Sequence, residues 1–220
     1  MSRIVVYGAA DQGRCTVEVV EREGAHTVVG FLDDAVAPGT IVGDHAVLGR
    51  AADLTRLRTE HGIDAAVVAI GDNFRRSQVV AALRAADPTL AFATAVDPSA
   101  VVARDVQVGE GAVLMAGVVV NGGSTIGAHG LLCARSSLDH DATLGDFGSL
   151  APAAATGGRV SIGHHSAICI GAVVLHGRSV GAHAVVGAGS TVVDDIDAGV
   201  VAYGTPCRPV RRRDPGDRYL

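Results

Sequence analysis

An aliphatic residue returns at every sixth position between residues 96 and 192, and this period constrains the fold more than any other feature of the chain. The series is Val96, Val102, Val108, Leu114, Val120, Ile126, Leu132, Leu138, Leu144, Leu150, Thr156, Ile162, Ile168, Val174, Val180, Val186 and Val192. A period of six is neither the helical period of 3.6 nor the two-residue alternation of a half-buried strand. It predicts a coil in which each hexapeptide supplies one short strand and one corner, with the aliphatic side chain pointing inward.

A second period, of 18 residues, marks one corner of this coil. It is carried by glycines that each follow an aliphatic position: Gly109, Gly127, Gly145, Gly163 and Gly181. Three hexapeptides therefore make one turn of a triangular prism, and we expect these glycines to adopt corner backbone geometry that other residues resist. The residue two positions before each aliphatic one is mostly small, as a narrow interior requires, and Arg178 is the clear exception.

Composition agrees with such a coil and excludes several classes of protein. The chain has 220 residues, of which 48% are hydrophobic, only 3% are aromatic and 29 are glycine, so a second small domain also fits. The formal charge of −5 and the lack of a basic patch argue against a nucleic-acid partner. No apolar run approaches the ~20 residues of a membrane span, and no signal peptide precedes the first strand. We therefore expect a soluble cytoplasmic protein with no membrane partner, and four scattered cysteines without CxxC spacing suggest neither a zinc knuckle nor a disulfide framework.

Residues 1–95 are predicted to form a small parallel α/β domain. The expected strands and helices alternate: strands 3–7, 26–32, 63–70 and 90–95, and helices 14–23, 53–62 and 74–86. The first three strands end in a glycine turn (8–13), in Asp33-Asp34 and in Gly71-Asp72-Asn73. The carboxyl ends of parallel strands meet at one edge, where ligands bind in open α/β sheets. A glycine turn before a helix can bind an anion, but residues 8–13 can also be a tight turn that binds no ligand. Asp33-Asp34 can likewise be a solvated acidic pair, and both alternatives stay open.

Six short motifs resemble, in order, the sialic-acid O-acetyltransferase/nucleotide-sugar N-acetyltransferase family of hexapeptide-repeat acyltransferases, over essentially the whole chain. They are Gly8-Ala9…Gly13, Phe31-Leu32-Asp33-Asp34, Ile70-Gly71-Asp72-Asn73, Asp97-Pro98-Ser99-Ala100, Asp139-His140-Asp141 and Gly204-Thr205-Pro206. The resemblance implies a Rossmann-like substrate domain (1–95), a left-handed parallel β-helix (96–198) and a C-terminal tail (199–220) that completes a CoA site. It also implies a homotrimer that uses acetyl-CoA.

His140 is the residue of the coil best suited to acyl transfer. It follows the inward-facing Leu138 by two positions and is flanked by Asp139 and Asp141. Attack of an amine or hydroxyl on a thioester needs a base, and neutral imidazole serves near pH 7. A neighbouring carboxylate can fix the tautomer of the ring and stabilise the imidazolium. With the resemblance, we expect His140 to be the general base and Asp141 its orienting partner; a surface histidine in an acidic turn is the alternative.

The resemblance also implies the binding residues. The expected substrate-binding residues are Gly8, Ala9, Gln12, Gly13, Asp33, Asp34, Gly71, Asn73, Cys133 and Ser149. The expected CoA-binding residues are Ile162, Ile170, Gly171, Ala188, Gly189, Gly204, Thr205, Pro206 and Arg208, with Arg208 or Arg211 meeting a phosphate. The chain departs from the family pattern at Gln12 and Ser149, where histidine is usual, at Cys133, where asparagine is common, and at Cys169, where glycine is usual.

These expectations favour N-acetylation of a nucleotide-linked amino sugar. O-acetylation of a free sugar or another small metabolite is one alternative, and a non-catalytic trimer that binds a nucleotide sugar is another, because the departures line the expected acceptor pocket. A metal-dependent hydration on the same coil is a third, since His165 and His183 are 18 residues apart and should stack one coil apart at ~4.8 Å. For the favoured reaction we expect no metal.

Overall fold

The computed structural model describes residues 1–219, and its N-terminal part is a three-layer α/β domain. Its elements are β1 (Ser2–Tyr7), α1 (Asp11–Glu23), β2 (His26–Leu32), β3 (Ile41–Val42), β4 (His45–Gly49), α2 (Leu54–His61), β5 (Ala65–Val68), α3 (Asn73–Ala86) and β6 (Ala91–Phe92), with one 3₁₀ turn at Ala51–Asp53. The strand order is β3-β4-β2-β1-β5-β6, and every pair is parallel except β3–β4.

Strand β1 is the centre of this domain because both of its faces are covered. Ile4 and Val6 pack with α1, and Val5 and Tyr7 pack with α2 and α3. A continuous run of apolar residues is what a parallel strand between two helical layers requires. The helices end as their sequences predict: Gly24 and Gly62 are left-handed at the C-termini of α1 and α2.

The structure corrects the predicted elements in two places. The hairpin β3–β4 was not expected. The predicted strand 90–95 is not one strand, because β6 ends at Phe92 and Ala95 already pairs with Val113 in the coil. The coil therefore begins at Ala95, and the two domains meet without a linker.

The coil consists of two-residue strands separated by four-residue corners. They are β7 (Ala95–Val96), β8 (Val101–Val102), β9 (Gln107–Val108), β10 (Val113–Leu114), β11 (Val119–Val120), β12 (Thr125–Ile126), β13 (Leu131–Leu132), β14 (Ser137–Leu138), β15 (Thr143–Leu144), β16 (Ser149–Leu150), β17 (Ala155–Thr156), β18 (Ser161–Ile162), β19 (Ala167–Ile168), β20 (Val173–Val174), β21 (Ser179–Val180), β22 (Val185–Val186) and β23 (Thr191–Val192). Each strand pairs in parallel with the strand 18 residues away, as in Val119↔Ser137.

Three flat faces result. Face 1 contains β7, β10, β13, β16, β19 and β22 and is extended by β24 (Val200–Tyr203) and the antiparallel β25 (Arg208–Arg212). Face 2 contains β8, β11, β14, β17, β20 and β23, and face 3 contains β9, β12, β15, β18 and β21. The expected tail is thus partly a continuation of face 1.

The interior of the prism confirms the six-residue period. From Leu114 to Val192 the aliphatic residues are almost fully buried, and the small residues two positions earlier, such as Ala112, Ser136 and Ala154, are buried beside them. Large inward side chains alternate with small ones, which lets successive layers fill a narrow core without voids.

The role that we predicted for the 18-residue glycines is wrong. Gly109, Gly127 and the other members of that series do not have positive φ. They are required because a Cβ on Gly127 would lie 2.5 Å from the backbone nitrogen of Asp146 in the next coil. The left-handed position comes two residues later in each hexapeptide, and it is filled by glycines such as Gly111 (φ 67°) and also by non-glycine residues such as His129 (φ 55°) and His165 (φ 59°).

A buried arginine joins the two domains. Arg76 of α3 is 2% exposed, and its Nε donates to the carbonyl of His129 at 3.0 Å while Nη2 donates to the carbonyl of Phe147 at 3.0 Å. Its Nη1 donates to the carbonyl of Ile70 at 2.8 Å. One guanidinium therefore holds the loop after β5 against the corner between faces 3 and 1. Across residues 1–219, no helix is both long and apolar enough to cross a membrane.

Candidate active site

His140 lies directly after β14, at the corner between face 2 and face 3. Its Nδ1 is 2.9 Å from Oδ2 of Asp141, and the side chain is 48% exposed. Asp141 is held at φ 55°, and Gly123 one coil earlier leaves room for its carboxylate, because a Cβ on Gly123 would lie 2.5 Å from Oδ1. With Nδ1–H donated to Asp141, the lone pair of the neutral imidazole is on Nε2.

The turn that carries His140 is fixed by hydrogen bonds on both sides. Oδ1 of Asp139 accepts from Nδ2 of Asn121 at 2.7 Å and from the backbone N–H of His140 at 2.8 Å. The hydroxyl of Ser124 donates to the carbonyl of Asp139 at 2.7 Å. The hydroxyl of Thr156 accepts from the backbone N–H of Asp139 at 3.0 Å, so the one polar residue of the aliphatic series supports this turn. The hydrogen bond from Asn121 is the main reason that the pKa of Asp139 is lowered.

The imidazole of His140 packs over Gly158, and the ring of a second histidine, His176, lies nearby. A Cβ on Gly158, one coil later, would lie 2.3 Å from Nε2 of His140, and its nearest heavy atoms are all in that ring. The ring of His176, one coil further, has its centroid 5.9 Å from that of His140. The sequence did not point to Gly158, whose lack of a side chain lets the two rings approach.

A cleft of about 430 Å³ lies along the edge of face 2 opposite to His140, where the N-terminal domain meets the corner between faces 1 and 2. Four predicted substrate residues and two predicted CoA residues line it together: Gln12, Gly71, Cys133, Ser149, Ile170 and Ala188. Its wall also includes Tyr203 and Tyr219, which sequence reasoning missed. A largely apolar cleft with a few polar groups is the usual form of a small-molecule site.

The glycine turn after β1 is shaped by close backbone contacts and by Asp33. A Cβ on Gly13 would lie 1.9 Å from the carbonyl oxygen of Gly8, and Gly8 itself has φ 108°. Oδ2 of Asp33 accepts from the backbone N–H of Ala9 at 2.8 Å. Burial acts to raise the pKa of Asp33, but hydrogen bonds from backbone N–H groups outweigh it, and the pKa is lowered. Asp33 therefore orders the turn as an anion, while Asp34 is exposed and its Oδ1 accepts from Ala51 N–H at 2.9 Å.

Asn73 has a different place from the one that we predicted. Its side chain has no exposed surface, and Nδ2 donates to Oγ of Ser149 at 3.0 Å and to the carbonyl of Ser166 at 3.0 Å. Its Oδ1 accepts from Nη2 of Arg76 at 2.8 Å, and its backbone N–H donates to the hydroxyl of Tyr219 at 3.1 Å. Because these groups are all bonded within the protein, the side chain of Asn73 positions the wall of the cleft and does not contact a ligand directly.

All four departures from the family pattern, Gln12, Cys133, Ser149 and Cys169, line the cleft, and two of them have a chemical consequence there. Nε2 of Gln12 is buried and, within the described residues, has no hydrogen-bond partner, so it is a donor available to a ligand. Burial raises the pKa of the Cys133 thiol to about 11, which keeps it protonated and unreactive near neutral pH. Cys133 is therefore an apolar wall residue, and the four cysteines of the chain are free thiols.

The predicted CoA residues divide into surface and interior positions. Gly171 and Gly189 are left-handed corner residues one coil apart, and a Cβ on either would meet no atom within 4 Å, so they leave an open strip that continues the cleft past Ile170 and Ala188. Ile162 is 1% exposed and its side chain points into the prism, so the CoA contact at this position stays a prediction that concerns its backbone.

The remaining CoA positions follow β24 at the end of face 1. Gly204 donates its backbone N–H to Oγ of Ser190 at 3.0 Å, and Thr205 and Pro206 are exposed beside it. Arg208 is 55% exposed and forms an ion pair with Asp194 at 2.9 Å, and Arg211 is 50% exposed. Exposed arginines at this end can turn towards a phosphate.

Comparison with known proteins identifies the family. Residues 3–83 match the family model described as the PglD N-terminal domain. GDP-perosamine N-acetyltransferase from Caulobacter crescentus, as a histidine-to-alanine mutant in complex with CoA and GDP-perosamine, is 34% identical, with a TM-score of 0.90 over 96% of this chain and 98% of that chain. The chain belongs to the family of hexapeptide-repeat nucleotide-sugar N-acetyltransferases.

Two further structures agree with this assignment. The acetyltransferase domain of PglB from Neisseria gonorrhoeae, in complex with acetyl coenzyme A, is 30% identical, with a TM-score of 0.87 over 94% of this chain and 98% of that chain. WeeI from Acinetobacter baumannii, 23% identical over 96% of this chain and 100% of that chain with a TM-score of 0.72, shares the fold. No curated protein sequence matches the chain. The predicted fold class, a small parallel α/β domain followed by a left-handed parallel β-helix, is confirmed, as are the predicted acyltransferase class and acetyl-CoA as its co-substrate.

The cleft and the candidate base lie on different corners of the coil. The cleft is at the corner between faces 1 and 2, and His140 is at the corner between faces 2 and 3. Face 2 therefore separates them within one chain. Its outward side chains are apolar or small, including Val101 at 64% and Val173 at 37% exposure, whereas face 3 presents Gln107, Thr143 and other polar residues.

Proposed function

We propose that this acyltransferase moves the acetyl group of acetyl-CoA to the amino group of a nucleotide-linked amino sugar, with His140 as general base. The observation that carries the proposal is the geometry of His140, whose Nδ1 is bonded to Asp141 at 2.9 Å and whose Nε2 is left to accept a proton. The two relatives of 30% identity or more, one with GDP-perosamine and CoA and one with acetyl-CoA, support the choice of substrates.

The reaction needs one proton to be moved. As the amine nitrogen bonds to the thioester carbon, Nε2 of His140 takes a proton from the nitrogen. The carboxylate of Asp141 stabilises the imidazolium through Nδ1–H. When the C–S bond breaks, the imidazolium returns the proton to the thiolate, so the products are the amide and CoA with a free thiol.

We propose that the amino sugar lies in the cleft and that its nucleotide extends to the N-terminal domain. The glycine turn, with Gly8, Ala9 and Gly13, lies beside Asp33 and Asp34 at the carboxyl edge of the sheet. This edge is where open α/β sheets bind nucleotides. The donor available on Gln12 faces the same space. CoA would follow the open strip at Gly171 and Gly189 towards Gly204 and Arg208.

A homotrimer is part of this proposal, because one chain does not join the cleft to the base. The exposed apolar residues of face 2 suit contact with a second copy, and a closed ring of three would set His140 of one subunit at the cleft of the next. Acetyl-CoA and nucleotide sugars are cytoplasmic metabolites, so the proposed reaction belongs in the cytoplasm.

The test is a thiol-release assay with acetyl-CoA and a panel of UDP-, GDP- and dTDP-linked amino sugars. His140→Ala should abolish turnover while leaving acetyl-CoA binding, measured by calorimetry, within a few-fold of wild type. His61→Ala is the control, because His61 precedes β5 and lies at the opposite edge of the sheet from Gly71 in the cleft wall. Turnover by His140→Ala would remove the proposed base. Release with free sugars alone would favour O-acetylation, and nucleotide-sugar binding without release would favour the non-catalytic alternative.

A further inference from the structure

Three imidazoles meet at a corner that the proposed reaction does not use. His164 and His165 are adjacent at the corner between faces 3 and 1, and His183 follows 18 residues later in the same column as His165. One nitrogen from each ring lies within 4.8 Å of the other two. Nδ1 of His164 and Nδ1 of His165 are 3.0 Å apart.

The distance of 3.0 Å between Nδ1 of His164 and Nδ1 of His165 can be compared with the spacing of two histidine nitrogens that bind one metal ion. Two imidazole nitrogens bound to one Zn²⁺ at about 2.05 Å are about 2.9 Å apart at a right angle and about 3.3 Å apart at the tetrahedral angle. The separation of 3.0 Å between the first two nitrogens falls within this interval. The ring of His183 is stacked on that of His165 with centroids 4.7 Å apart and planes 10° apart. The side chain of His183 must therefore rotate to point its lone pair at the same ion.

The cluster is held in place by the coil and by its aromatic neighbours. The backbone N–H of His183 donates to the carbonyl of His164 at 2.9 Å, which fixes the offset between the two coils. The ring of Phe147 stacks on His165 with centroids 5.0 Å apart, and Arg213 donates to the carbonyl of His183 at 3.0 Å. Ligands supported in this way lose little freedom when they bind an ion.

One ligand of the cluster is open to solvent. His164 is exposed, so an ion can reach the site from solvent.

We propose that His164, His165 and His183 form a binding site for a divalent late-transition-metal ion, with Zn²⁺ as its expected occupant and a water molecule as the fourth ligand. Imidazole nitrogens favour such ions over Mg²⁺ or Ca²⁺. The site lies on a different corner from His140, so its role is structural: it joins two coils beside Phe74 of α3, whose ring centroid is 6.3 Å from that of His165. It does not depend on the proposed reaction.

The experiment uses the whole protein with its affinity tag removed and its metals stripped by a chelator. Zn²⁺ is titrated calorimetrically near pH 7 against wild type, His164→Gln, His183→Gln and the control His61→Gln. One ion per chain with micromolar or tighter affinity is expected for wild type and for His61→Gln. Each cluster variant should bind Zn²⁺ about tenfold more weakly or worse. Because an ion that binds the folded state stabilises it, Zn²⁺ should raise the Tm of wild type and of His61→Gln more than that of the cluster variants.

X-ray absorption on the unaltered, Zn²⁺-loaded protein counts the imidazole ligands directly, so the proposal does not depend on the folding of any variant. Three imidazoles with nitrogen at about 2.0–2.1 Å are expected. Wild-type affinity in His183→Gln, or a count of two imidazoles, would show an exposed two-histidine chelate and overturn the proposal. The absence of saturable binding in the micromolar range would overturn it as well, and would leave the contact between His164 and His165 as a simple hydrogen bond.

Discussion

Replacing Arg76 by lysine should destabilise the protein severely, although the charge is kept. The guanidinium makes five hydrogen bonds shorter than 3.4 Å, to four backbone carbonyls and to Oδ1 of Asn73. Within the described part of the chain, no carboxylate forms a salt bridge with it, and burial lowers its pKa to about 10. The five acceptor oxygens alone therefore compensate for the water that the guanidinium loses when it is buried.

Lysine cannot reproduce this pattern. An ammonium has three N–H donors on a point charge, whereas the guanidinium has five in a planar fork. At least two of the five acceptors therefore lose their partner, and each lost bond to a charged donor costs about 1.5–3 kcal/mol. We expect Arg76→Lys to lower the free energy of unfolding by about 3–6 kcal/mol, a large part of the 5–15 kcal/mol typical of a domain.

Urea unfolding followed by far-UV circular dichroism measures this loss, since the chain has no tryptophan for fluorescence. The matched control is Arg75→Lys, an exposed arginine at the preceding position of α3, which should change stability by less than about 0.5 kcal/mol. If both variants lose the same small amount of unfolding free energy, the hydrogen bonds of Arg76 do not hold the domains together. Arg76→Lys protein that remains folded should also show a raised KM for the amino sugar but not for acetyl-CoA. The reason is that Arg76 holds Gly71 directly and Ser149 through Asn73, and both residues lie in the cleft wall.

Three further outcomes follow from named contacts. Gly158→Ala should reduce kcat at least about a hundredfold with a small change in Tm, because the three heavy atoms nearest to the new Cβ all belong to the ring of His140, with Nε2 at 2.3 Å; an unchanged kcat would show that the ring leaves Gly158 during turnover. Burial lowers the pKa of His129 to about 4, below its unfolded value of about 6.5, so its neutral form stabilises the fold and this contribution falls as pH drops from 6.5 to 4. The loss approaches about 3 kcal/mol below pH 4, and urea midpoints against pH should flatten between those values in His129→Leu; an equal slope in the variant would assign the loss to other groups. Iodoacetamide near pH 8 should modify the exposed Cys15 well before Cys133, whose pKa is about 11, as mass spectrometry of tryptic peptides can follow, and equal rates would show that the cleft opens widely.

The regular parts of the fold could be predicted because each depends on residues that are close in sequence. The inward side of every coil strand follows from the period of six, and β2 was predicted with its observed bounds. The hairpin β3–β4 was missed because its first strand has only two residues, although Gly43-Asp44 after the apolar pair Ile41-Val42 is a recognised two-residue turn signal, and Gly43 has φ 60°. Arg76 could not be predicted, because it bonds to carbonyls 53 and 71 residues away and carbonyls leave no trace in the sequence.

The errors at the candidate site have a common physical origin. Ile162 belongs to the aliphatic series, so the period of six alone placed its side chain inside the prism and away from a ligand. Asn73 was expected at the ligand because it follows a strand end, but an amide that reaches Ser149 and Ser166 is more stable buried and fully bonded than exposed. Gly158 shows the opposite case, in which an absent side chain shapes the site. A residue 18 or 36 positions from a candidate base is its neighbour in a coil of this kind, and reading that column, His140, Gly158 and His176, would have found the glycine before the structure did.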